Sequence, residues 1–204
     1  MSHGANSLTS IFFALGANLS IAVVKFVSAV ITNSGSMLAE SVHSFADCGN
    51  QGLLFVGLNA AKKKPDAKHP LGHGLAIYFW SFIVALMLFS LGGLFSVYEG
   101  IHKLNSTEEI SKPIIAIVVL SVSVVLEGFS LLGCIKQIKT LKGNKSLWSW
   151  VKNTRKSELV VVLGEDVAAL FGLMFALTSI GLSIITGNPV YDSIGSIFIG
   201  LLLI

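Results

Sequence analysis

Apolar residues gather into long blocks along this chain, and each block is closed by a short polar or basic run. Several blocks reach about 20 residues, the length an α-helix needs to cross about 30 Å of hydrocarbon. The pattern predicts helices over about residues 8–31, 36–60, 74–98, 114–135 and 158–185, with a sixth beginning near residue 191. Residues 191–204 are too few for a full span, so more of this helix is expected beyond Ile204. Residues 1–9 carry neither a basic n-region nor a small-residue cleavage site, and the first helix is expected to be a span rather than a cleaved signal peptide. The fold class expected is all-α: a polytopic membrane protein with a six-helix transmembrane domain whose sixth helix is truncated.

Composition agrees, with 53% hydrophobic residues against 12% charged, roughly half the charged share of soluble domains. A water-soluble fold is not expected on that ground. The two cysteines, Cys48 and Cys134, lie inside apolar segments and offer neither a disulfide framework nor a metal knuckle. Of the 14 basic residues, four (Lys62, Lys63, Lys64, Lys68) fall in the second connection and seven (Lys136, Lys139, Lys142, Lys145, Lys152, Arg155, Lys156) in the fourth. The connections at 32–35 and 187–190 have none. By the positive-inside rule the basic loops are cytoplasmic, which places the N-terminus there too. These charges lack interleaved aromatics or a recognition helix, so nucleic acid is not an expected partner.

Ionisable groups within the bilayer are costly unless paired, hydrated or holding a metal. Glu40, His43 and Asp47, spaced three and four apart, line one face of the second helix, and Asn50 continues it. At 1.5 Å per residue Asp47 lies roughly 16 Å below the outer surface, His43 about 10 Å and Glu40 about 6 Å. Asp166, about 12 Å above the inner end of the fifth helix, is level with Asp47. Two facing carboxylates with an imidazole form an N/O set suited to zinc or a neighbouring divalent ion. The alternative is a hydrogen-bonded His–Asp pair that only joins helices. Lys25 of the first helix is at the depth of Glu40, so the two are expected to pair, leaving Glu40 outside the ligand set. Glu127 and Glu165 fall in the inner half of the membrane. Glu165 is turned about 100° from Asp166 and is expected to be at best a supporting or proton-carrying group. Glu99, His102 and Lys103 close the third helix, where side chains ordinarily snorkel to water.

Asp66, His69 and His73, in the Pro- and Gly-shaped loop between the second and third helices, are spaced as a three-ligand metal site open to water. Solvated histidines in a basic loop are the competing reading.

Together these residues resemble the cation diffusion facilitator family of zinc-type transporters. The matching stretches are SGSMLAESVHSFAD at 34–47, the loop at 65–74, and EDVAALFG at 165–172. NQGLL at 50–54 and ITGNP at 185–189 resemble its zinc transporter nine branch and the bacterial relatives of that branch. The resemblance implies six transmembrane helices, a homodimer, a cytoplasmic C-terminal domain absent from these residues, and a transport site between helices two and five. It places that site's ligands on His43, Asp47 and Asp166, and the loop ligands of some bacterial members on Asp66, His69 and His73. It also reveals a departure: the family's other helix-five ligand falls on Val162.

The function expected is export of a divalent metal, with Zn2+ as transported substrate, by proton antiport and alternating access. Manganese or iron selectivity, a channel, and a non-transporting family member are the alternatives. No nucleophile elbow, HExxH or phosphate loop supports an enzyme. In a bacterium the membrane would be the inner one.

Overall fold

In the computed structural model, residues 3–66, 69–104, 110–143, 146–154 and 157–204 are described. The chain forms α1 (His3–Thr32), α2 (Gly35–Ala61), α3 (Ala76–Met87), a π-helical stretch (Leu88–Leu94) leading directly into α4 (Phe95–Leu104), α5 (Pro113–Lys142), a short α6 (Leu147–Asn153), α7 (Ser157–Thr186) and α8 (Val190–Leu203). Four helical stretches among the described residues are long and apolar enough to cross a membrane: Leu15–Thr32, Tyr78–Leu104, Pro113–Lys142 and Val162–Thr186. The chain is thus a multi-pass helical membrane protein. α2 lies outside that class because its inward face is polar, and α8 because it has only 14 residues, although it is apolar. α2 packs against α1, α3, α4, α7 and α8, while α8 is held between α4 and α7.

Local chemistry sets the turns. Asn33 takes a left-handed φ of 54°, a conformation its short polar side chain tolerates. Ser34 then caps α2 by accepting from Met37 N at 3.1 Å. Lys103 was expected to snorkel, but its Nζ turns inward and donates to Asn33 O at 2.8 Å and Oδ1 at 3.2 Å. The reason is that α4 continues to Leu104, which brings the lysine over the Asn33 carbonyl in the α1–α2 turn. His102 stays exposed and stacks on Tyr98.

Small residues let the central helices approach closely, the usual solution where lipid removes any hydrophobic drive between helices. A Cβ at Gly200 of α8 would lie 2.8 Å from Gly93 O, and Ser196 Oγ donates to Ser96 O at 2.9 Å. The apolar core contains Met37, Leu120, Leu173, Ile180 and Ile199. Large apolar side chains such as Val30, Phe82, Phe129 and Phe171 are exposed around the outside, where lipid is their solvent. Two features depart from the sequence reading. The third segment contains a π-helical stretch, and the fourth connection contains α6, whose Trp150 packs on Cys134 and Ile138. Lys68, Lys145, Arg155 and Lys156, used in the topology reading, lie outside the described residues.

At the end of the bundle where α2 begins, Asp192 of α8 acts as a cap in trans. Its carboxylate accepts from Ser34 Oγ (2.8 Å), Gly35 N (2.6 Å) and Ser36 N (3.2 Å), so it satisfies two amides of α2's first turn and faces the positive end of that helix. Ser36 Oγ returns the bond to Asp192 O at 2.7 Å and meets Ser179 Oγ of α7 at 2.9 Å. Asp192→Ala strands these buried donors together. It is expected to lower stability by about 3 kcal/mol or more, at about 1–3 kcal/mol for each buried group left unsatisfied. The fall in thermal midpoint of detergent-solubilised protein measures it, and an unchanged midpoint would rule out the cap.

Candidate metal centre

The polar face of α2 is assembled as helical spacing requires. His43 is 3% exposed, and its Nε2 lies 3.5 Å from Asp47 Oδ2. Both ring nitrogens of His43, together with Asp47 Oδ1 and Asn50 Oδ1, are buried without a hydrogen-bond partner. Buried polar atoms in native proteins are almost always satisfied, so this run of unused atoms leaves nitrogen and oxygen donors available to a cation or to water. Beside it, between α2, the π-helical stretch, α7 and α8, lies a cavity of about 170 Å³. His43, Asp47 and Glu165 line it, with Leu88, Ala168 and Leu203 as apolar wall. π-Helical segments are frequent at functional sites, and here that segment supplies one wall.

One turn toward α2's N-terminus, the expected ion pair is present. Lys25 Nζ donates to Glu40 Oε2 at 3.2 Å and to Ser44 Oγ at 2.9 Å, with both charged side chains essentially fully buried. Glu40 fits because α7 presents Gly172, where a Cβ would collide with Oε1.

α7 contributes two adjacent carboxylates that face different neighbours. Glu165 turns to α2, where Asn50 Nδ2 donates to its Oε1. Asp166 turns to α5, where Ser130 Oγ donates to its Oδ1 at 3.2 Å; its Oδ2 is buried without a partner. The structure therefore brings His43 and Asp47 together and turns Asp166 toward α5. Ser130 and Ser44 were missed in the sequence because serines recur throughout these helices without distinguishing spacing.

In the loop, Asp66 Oδ1 lies 3.1 Å from His69 Nδ1 and Oδ2 lies 3.3 Å from His73 Nε2. Among the described residues this is the one trio of metal-ligating groups whose ligand atoms all lie within 4.8 Å of one another. Reciprocal backbone bonds between Asp66 and His69 (3.1 and 3.3 Å) and a left-handed Gly72 (φ 83°) shape the turn.

A helical bundle with this interior matches a known family pattern: residues 11–204 fit the cation efflux transmembrane domain. The chain belongs to the cation efflux family. It is 37% identical over 181 residues to the human proton-coupled zinc antiporter SLC30A9, mitochondrial, covering 88% of this chain and 32% of that protein. It is 34% identical over 203 residues to metal tolerance protein C4 of Arabidopsis thaliana, covering 98% of this chain and 44% of the relative. A more distant relative, at 25% identity over 200 residues, is the magnetosome protein MamB of Paramagnetospirillum magneticum, with 94% and 66% covered. The chain thus spans less than half the length of its two more similar relatives.

Within this cation efflux domain, Val162 is 41% exposed and is not among the residues lining the cavity. The position that resembles a family ligand is thus not part of the cavity wall beside His43 and Asp47, which α7 lines with Gly164, Glu165 and Ala168.

Proposed function

We infer that this chain is the membrane part of a divalent-metal carrier that exports zinc from the cytoplasm in exchange for protons. Access alternates about a site between α2 and α7 built on His43, Asp47 and Asp166. The observation that carries this reading is the His43–Asp47 pair, its imidazole buried, with unused donor atoms on a cavity between helices. An imidazole with carboxylates is an N/O set for zinc, and metal and protons compete for the same atoms. Metal release and proton uptake at these groups are then one event. The human relative's name, a proton-coupled zinc antiporter, supports both the cargo and the coupling. On this reading the chain is a transporter and not an enzyme. It works as a homodimer with a cytoplasmic C-terminal domain, and its N-terminus is cytoplasmic. The membrane is the inner one if the source is bacterial and the mitochondrial one if the chain follows SLC30A9.

The loop trio Asp66, His69 and His73 serves as a second zinc site on the cytoplasmic side, three protein ligands with a position open to water. One observation favours a second reading. With Val162 outside the site, oxygen donors outnumber nitrogen, which shifts preference toward manganese or iron.

The test is flux into proteoliposomes with an acidic lumen. Zinc uptake is expected to saturate and to collapse when a protonophore dissipates the gradient. Uptake that neither saturates nor depends on the gradient would replace the carrier with a channel.

A further inference from the structure

The departure at Val162 leaves the transport site short of a ligand, and the interior of the bundle offers one. We propose that Glu165, oriented by Asn50, is the α7 metal ligand that joins His43 and Asp47 when an ion enters their shared cavity and draws the three side chains together. The proposal rests on the metal-site reading above and adds a residue to it.

Three observations carry it. First, the cavity that His43 and Asp47 line is also lined by Glu165, and Asp166 is not among its lining residues. Second, the two carboxylates of α7 are held apart by different partners: Asn50 of α2 donates to Glu165, whereas Ser130 of α5 donates to Asp166. Asn50 is the next member of the α2 face after Asp47 and is 3% exposed, so α2 supplies two ligands and also the group that aims the third. Third, His43 lines this cavity with both ring nitrogens buried and unpartnered. An imidazole so placed can donate a nitrogen to a cation without breaking any protein hydrogen bond.

Chemically, Glu165 restores a third charged or nitrogen donor without any side chain at Val162. Asn50 does for it what outer partners do for metal-bound carboxylates in general, fixing the orientation of one oxygen and leaving the other for the ion. Asp166, bonded to Ser130, then lies on the α5 side of α7. A rotation of α7 by about the 100° between successive residues would exchange one carboxylate for the other.

The test is zinc titration of purified protein, followed by isothermal calorimetry, in a His69→Ala/His73→Ala background so that the loop does not contribute. Glu165→Gln keeps an acceptor for Asn50 and therefore the local fold. It is expected to weaken zinc binding at least about tenfold. Asn50→Ala is expected to weaken it in the Glu165 protein and to have no further effect in the Glu165→Gln protein, a non-additivity that a purely structural role for Asn50 would not produce. Zinc bound to Glu165→Gln with wild-type affinity overturns the proposal. If in that case Asp47→Asn still loses binding, the metal site stands without Glu165; if Asp47→Asn also binds normally, the site reading itself falls.

Discussion

Asp47→Asn is expected to abolish pH-driven zinc uptake while leaving the protein folded. The substitution keeps the size of the side chain and an oxygen at the position that meets His43 Nε2 at 3.5 Å, so helix packing has no reason to change. It removes the negative charge that a doubly charged ion needs most where no bulk water screens it. Removing only an outer partner of a metal ligand typically costs about 10–100-fold in affinity, and losing a ligand's charge should cost at least that. Stability supplies a second readout. Zinc at 100 times its dissociation constant stabilises a folded protein by about 2.7 kcal/mol, and in Asp47→Asn that zinc-dependent rise in thermal midpoint should vanish. The metal-free variant should be no less stable than wild type, because the amide keeps the carboxylate's size without a charge to hold away from water. Wild-type zinc flux and an intact zinc-dependent shift in Asp47→Asn would place the transport site elsewhere.

The parts of this architecture legible in the sequence are those fixed by one helix alone. The face Glu40–His43–Asp47–Asn50 follows from residue spacing, and the pairing of Lys25 with Glu40 follows from counting 1.5 Å steps along two helices joined by a tight turn. What depends on the rotation of one helix against another was not legible. α7 is apolar on nearly every side, so its sequence does not say which of Glu165 and Asp166 faces α2. Spacing gives the angle between the two, and only packing against Asn50 and Ser130 gives its origin. α6 was hidden for a related reason. Its helix is short, and Trp150 acquires a buried face only once Cys134 and Ile138 are beneath it. The π-helical stretch likewise owes its position to packing, with Gly92 and Gly93 buried against α8. Asp192 was passed over because an acidic residue in the first turn of a helix reads as a cap for that helix, whereas here it caps α2.

Lys25→Met should be among the most damaging single substitutions in the bundle, more so than its removal together with its partner. In the wild type, the ammonium has Glu40 and Ser44 within 3.2 Å and 2.9 Å and almost no exposure. Deleting it leaves Glu40 charged, dry and wedged against Gly172, and breaking a buried ion pair from one side costs about 3–5 kcal/mol. Glu40→Gln strands Lys25 in the same way. The double variant Lys25→Met/Glu40→Gln removes both charges at similar volume, a replacement that is often neutral or stabilising, so most of the lost stability should return. A double-mutant cycle on thermal midpoints in detergent measures the coupling. Near-additive effects would mean that water already solvates the pair. Zinc transport separates structure from ligation. If Glu40 serves only to neutralise Lys25, the double variant should still bind and carry zinc, because His43, Asp47 and the carboxylates of α7 are untouched. A Glu40→Gln protein that folds but no longer binds zinc, beside a Lys25→Met protein that folds and transports normally, would make Glu40 a metal ligand and overturn its role as a counter-ion.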